Sequence, residues 1–212
     1  MFYGCIVGIV LMLMLLAGVL YGLHQFKKMM NQFTESKPMA LPTVSLSASQ
    51  MDALRQRVNT FSNAVSTGKT ASPLVLNSDE VNALIADSQG GTNLSGKVYV
   101  LFQDDKVKAQ VSLPMGDTGI RLFKGRYLNG DATLSVSLRQ TNLAVFINDV
   151  NVKGKPLPAV YMQTIRQINW AEGANTNGNT ANALSKIQAI DVKDGKLIVT
   201  PSEALEKPEK TQ

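Results

Sequence analysis

The sequence predicts an α+β domain behind an N-terminal transmembrane helix, with a curved antiparallel sheet of about six strands packed against about two or three helices. An apolar run opens the chain, two capped helical stretches follow, and from Gly96 the apolar period falls to two. Strand blocks kept apart from helices imply antiparallel pairing.

The 212 residues suffice for one membrane segment and one ordinary domain. The expected division is an anchor and juxtamembrane segment over 1–30, a linker over 31–43, the α+β domain over 44–200 and a charged, disordered tail over 201–212. Ile6 to Leu23 is an uncharged apolar run of 18 residues. As a helix it spans roughly 27 Å, close to a hydrocarbon core. A cleaved signal peptide needs a basic start and a small-x-small site, and neither is present. The segment therefore reads as a single-pass signal-anchor. Tyr21, Lys27 and Lys28 suit the interface and the headgroups. The positive-inside rule would put the domain in the cytoplasm, whereas its richness in Ser, Thr, Asn and Gln is that of many envelope domains. The reading adopted is the outer side of a bacterial inner membrane.

Phe33 to Thr43 contains Pro38 and Pro42, which forbid a continuous helix there. Two similar stretches follow at an offset of thirty, "VSLSASQMDAL" from Val44 and "LVLNSDEVNAL" from Leu74. In each, a short strand is expected to end at a cap, Ser47 or Asn77, and Gln50 or Glu80 stands where its side chain can bond back to the cap's amide. The first helix carries Met51, Leu54, Val58, Phe61 and Val65 on one face and stops at Gly68. The second is short, ends near Gly90 and Gly91, and needs packing to persist. Asn82 beside its stripe is placed to bond a strand end.

Lys97 to Phe102 and Lys106 to Leu113 read as a hairpin turning at Asp104 and Asp105, with Val107, Ala109, Val111 and Leu113 on one face and Lys106, Lys108, Gln110 and Ser112 on a wet one. A strand is expected from Thr133 to Gln140. Its partner alternates through Leu143, Val145 and Ile147, then resumes at Val150 and Val152, a phase slip that predicts a bulge near Asn148 and Asp149. A helix is expected to start at Pro158 and to carry Tyr161, Met162, Ile165 and Ile168, with Trp170 at its end. "EGANTNGNT" reads as a flexible loop, and Asp194-Gly195 as the turn of a last hairpin.

His24 and Cys5 are single and lie in or beside the anchor, which excludes imidazole and thiol chemistry in the domain. The carboxylate pairs Asp104-Asp105 and Asp79-Glu80 sit in a turn and a helix's first turn, where local roles suffice. No catalytic residue, metal ligand or cofactor is expected. The excess of +5, from 21 basic and 16 acidic residues, favours anionic headgroups mildly, and no basic stripe interleaved with aromatics points to nucleic acid. The candidate ligand-binding residues are Arg126 and Tyr127, in a loop "KGRYLNGD" built on an Asn-Gly turn, and Tyr161, Met162 and Trp170, placed to line an apolar groove.

The anchor, the Pro-containing linker, "NSDEVNALI", "VSLPMG", "KGRYLNG", "VNVKGKPLP" and "VKDGKLIV" together resemble a family of uncharacterised membrane-anchored bacterial proteins. More remotely, the order of helices and strands is similar to the YceB-like and YpmS-like families, related to tubular lipid-binding folds. That resemblance implies an apolar groove and lipid binding, in a chain short for a full conduit. The function expected is a non-enzymatic envelope protein binding a lipid or other hydrophobic ligand. The alternative is an assembly subunit that offers a sheet edge or the "KGRYLNG" loop to a membrane-protein partner.

Overall fold

In the computed structural model, residues 31–87, 94–118 and 123–202 are described, with 21, 24, 25, 27 and 28. The stretch expected as an anchor lies, but for Tyr21, outside the described residues, as do 203–212 and the Gly90-Gly91 helix end. Among the described residues, no helix is long and apolar enough to cross a membrane.

Helix α1 (Ala48–Ser66) starts at the Ser47 capping box, where the serine hydroxyl accepts from the Gln50 amide and the Gln50 side chain accepts from the Ser47 amide. Gly68 at φ 68° follows its end. Helix α2 (Ser78–Asp87) is entered the same way, with Asn77 Oδ1 accepting from the Glu80 amide and Glu80 accepting from the Asn77 amide. A short strand, β1 (Leu74–Leu76), precedes α2, but residues 44–46 before α1 form none. The two copies thus share the cap and not the strand. Glu80 also receives Arg57 of α1 at 2.6 Å, and the same guanidinium donates to the Val75 carbonyl of β1. One carboxylate thereby fixes a helix start and a helix-to-strand contact. Leu54, Leu76 and Ala83 are buried where the three elements meet. Burying a leucine such as Leu54 contributes about 1.5–3 kcal/mol.

The architecture is α+β with two antiparallel sheets in place of the single sheet expected. The larger runs β2 (Val98–Gln103), β3 (Lys106–Pro114), β4 (Tyr127–Arg139), β5 (Asn142–Val152), β6 (Lys155–Pro156) in chain order. The smaller has the order β1, β8 (Lys196–Pro201), β7 (Ile187–Lys193). Asp194 at φ 50° and Gly195 at φ 70° make the β7–β8 turn as read from sequence. The predicted bulge is present: Thr133 faces Asp149 and Leu134 faces Ile147, leaving Asn148 unpaired. Arg166 clamps it, donating to the Asn148 carbonyl at 2.7 Å and to the Asp149 carboxylate at 3.0 Å.

Three expectations are corrected. "KGRYLNGD" is no loop with an Asn-Gly turn. Tyr127 opens β4, and Asn129 and Gly130 lie inside it, paired with Ser112 and Val111. The helix expected from Pro158 through Trp170 is only α3 (Ala159–Ile165), with Pro158 as its N-cap. "EGANTNGNT" is mostly helical, belonging to α4 (Glu172–Thr176) and α5 (Gly178–Leu184). Asn177 caps α5 by accepting from the Thr180 amide, which a reading of the segment as a flexible loop overlooks.

Asparagine side chains bond the exposed backbone of β2, an edge strand of the larger sheet, and of the stretch of β5 that β6 does not pair. On β2, Asn82 of α2 accepts from the Val100 amide and donates to the Val100 carbonyl, and the Ser78 hydroxyl accepts from the Phe102 amide. On β5, Asn169 accepts from the Val145 amide and donates to the Leu143 carbonyl, and Asn175 accepts from and donates to Leu143. A primary amide presents the same donor and acceptor as a peptide group, so it continues the ladder. Asn82, expected to bond a strand end, bonds the edge of β2 at mid-strand instead.

The Asn82 contact sits at a partly buried edge, so Asn82→Leu leaves the Val100 amide and carbonyl unpaired at a cost of about 1–3 kcal/mol. Thermal unfolding of the full chain should show a melting point lowered by several degrees, and an unchanged one would deny the amide this role. A second measurement concerns Arg55, which meets Asp87 at the end of α2 through Nε at 3.0 Å and Nη2 at 2.6 Å. The hydrogen bond from Arg55 chiefly holds the Asp87 carboxyl below its ordinary range; desolvation opposes it, and the charge of Arg55 adds a lesser lowering. A depressed carboxyl stabilises the fold above the unfolded value of about 3.9, and the contribution fades as pH falls through the lowered folded value. The melting-point gap between wild type and Asp87→Asn should therefore be present at neutral pH and close in acid below that value.

Candidate functional site

Strand alternation puts Val107, Ala109, Val111 and Leu113 of β3 on one face, opposite Leu134, Ala132, Gly130 and Leu128 of β4. Because the Asn148 bulge restores the phase, Ile147, Val150 and Val152 of β5 join the same face. The smaller sheet covers only one end of it. There Phe102 and Val107 are buried with Val192 of β7, and Val100, Leu134, Val136 and Leu197 pack around them. Toward the other end the face stays open beneath a sparse roof.

That opening is a groove of about 540 Å³ lined entirely by apolar surface. Its size falls in the range of about 300–1,000 Å³ typical of ligand pockets. The floor is hollow because its central positions are small: Ala109 faces Ala132, and Gly130 stands beside them between Val111 and Val152. Phe33, Leu157, Tyr161, Ile165 and Trp170 form the roof and rim. Phe33 meets Tyr161 edge-on, with ring centroids 6.0 Å apart and planes at 78°.

Of the candidates read from sequence, Tyr161 and Trp170 line the groove. Met162 is buried and does not, because on a helix it turns away from Tyr161. Arg126 and Tyr127 lie beyond the groove's end. Arg126 donates to the hydroxyl and the carbonyl of Thr34, and Tyr127 exchanges both backbone hydrogen bonds with Glu35. Residues 35–39 then cross the other face of β3 and β4, where the Met39 amide donates to Ser112 Oγ at 3.0 Å and to Asn129 Oδ1 at 3.2 Å. This crossing buries Ser112, expected on a wet face. Arg126 also borders a polar depression of about 470 Å³ with Lys37 and Lys153. Its grip on Thr34 already explains the guanidinium there.

Sequence reasoning missed Phe33, assigned to the linker, and the small floor residues. The signal for the latter is present in the sequence: Ala109 in β3, and Gly130 and Ala132 in β4, interrupt two rows of larger apolar side chains. A larger depression of about 720 Å³ lies between α1 and β1, but Gln56, Arg57, Thr60 and Ser72 mix polar groups into its lining. Among the described residues, no three His, Cys, Asp or Glu side chains gather as metal ligands. Compared with protein-family models, with curated proteins and with solved structures, the chain has no significant match.

Gly130 is required by the closeness of β5, since a Cβ there would stand 2.6 Å from the Asn151 carbonyl oxygen, a backbone atom. Gly130→Ala must push the strands apart, at a cost of about 1–3 kcal/mol. A thermal melt of that variant equal to wild type would contradict the close approach.

Proposed function

We propose that the protein is a single-pass, membrane-anchored, non-enzymatic envelope domain on the outer side of a bacterial inner membrane, holding the hydrocarbon part of a lipid in the groove. The observation that carries this reading is the unfilled apolar face from Ala109 to Val152 under aromatic residues. A surface of that kind in water is unfavourable by about 25 cal/mol per Å², so an occupant that covers it gains affinity. A lipid chain suits a lining that offers no polar partner, whereas a polar substrate would forfeit its hydrogen bonds there. The apolar stretch from Ile6 to Leu23 would keep the groove near a supply of such chains. The resemblance to lipid-binding families points the same way.

An assembly subunit that offers a sheet edge has less support. Asn82, Asn169 and Asn175 occupy the positions an added strand would use.

The test is the lipid retained by the full chain purified in detergent and analysed by mass spectrometry, beside the floor-filling variant Ala132→Leu. Wild type should keep a stoichiometric lipid through exhaustive detergent exchange, and the variant should lose most of it while melting cooperatively. Equal retention by both chains, or none by wild type, would remove the groove as the lipid site.

A further inference from the structure

Among the described residues of the domain, the most exposed large apolar side chains fall in one short segment. Val160 is 68% exposed, Trp170 55%, Tyr161 44% and Ile168 43%. Scattered surface apolar residues are ordinary, but a cluster calls for a covering surface. Tyr161 and Trp170 stand at the groove, while Val160, next to Tyr161 in the chain, and Ile168, two residues before Trp170, are exposed outside its lining.

The position of this patch along the chain identifies what covers it. Phe33, which touches Tyr161, follows Leu23 by ten residues, or about 15 Å if helical, and the described residues between Tyr21 and Phe33 are helical. Residues 31–34 are fixed to the sheet: Lys153 Nζ donates to the Asn31 carbonyl at 2.9 Å, and Arg126 Nη2 to the Thr34 carbonyl at 2.9 Å. Asn31, Phe33 and Thr34, which follow the apolar stretch in the chain, are thereby held beside the patch. Lys27 and Lys28 are exposed on the same stretch, and Lys153 and Lys155 are exposed at the β5–β6 turn. Tryptophan and tyrosine with aliphatic neighbours and flanking lysines are the composition that seats at a membrane interface, and lysine adds attraction to anionic headgroups.

We propose that Val160, Ile168 and Trp170 form a contact surface for an anionic bilayer, which sets the mouth of the groove against the lipid interface. The inference rests on the anchored, lipid-holding reading above and adds the route by which a chain enters: directly from the bilayer, with no passage through water.

The test uses the full chain with Cys5→Ser and a single cysteine at position 160, 168 or 101, each carrying a bimane fluorophore, in vesicles of phosphatidylglycerol and phosphatidylcholine containing nitroxide lipid. Leu101 is 40% exposed, and strand alternation sets it on the opposite face of the sheet, which makes it the reference. Labels at 160 and 168 should be quenched several-fold more strongly than the label at 101, and removing phosphatidylglycerol should weaken that difference. Equal quenching at all three sites overturns the contact. So does quenching of 160 and 168 by nitroxide-labelled copies of the chain without quenching by lipid, which would assign the patch to a second copy. A chain that fails to enter vesicles overturns both the anchor and this contact. Because positions 160 and 168 lie outside the groove, their quenching is independent of its occupancy, and a failure of lipid retention remains a separate result.

Discussion

The common phase of three long strands is the constraint on which this molecule depends. β3, β4 and β5 direct their apolar residues to one side over most of their length, and a single unpaired residue, Asn148, keeps the third strand in step with the other two. Without that extra residue, Val150 and Val152 would turn to the opposite face, since a slip of one reverses every side chain beyond it. Arg166 bonds the bulged carbonyl from outside and so protects the phase. The result is an apolar face longer than its cover: the β7–β8 hairpin closes one end, and the remainder becomes a groove because Ala109, Gly130 and Ala132 leave it unfilled.

The legible parts of this fold were those written in short-range chemistry. Both capping boxes, the Asp194-Gly195 turn and the bulge rest on residues within a few positions of each other, where one sequence carries the whole signal. The errors were made where distant partners decide. Asn129-Gly130 has turn chemistry, yet it lies mid-strand, because Gly130 admits the Asn151 carbonyl and Asn129 bonds the Glu35 side chain and the Lys37 carbonyl across the sheet. The β4–β5 turn carries Gln140 and Thr141 at φ 48° and 71°, with no glycine to announce it, so the long strands impose that turn. The division into two sheets was invisible for a similar reason: β1 joins β8 across more than half the chain.

The groove was partly legible too. Tyr161 and Trp170 were recognised as aromatics on an expected helix, although the helix proved shorter and Trp170 reaches the rim through a turn whose amide donates to the Val145 carbonyl at 2.9 Å. Arg126 was selected for its chemistry, and the structure gives that chemistry an internal partner. Hydrogen-bonding capacity in a sequence does not say whether the partner is a ligand or another part of the same chain.

The amide-covered stretches of the larger sheet bear on association with other chains. An unpaired strand border invites other polypeptides to add to it, and natural proteins often deter this with charge. Here Asn82 on β2 and Asn169 and Asn175 on β5 occupy part of the exposed ladder with neutral groups. Addition of a foreign strand is thereby discouraged along these stretches by neutral amides, while the short border strand β6 carries a lysine and a proline.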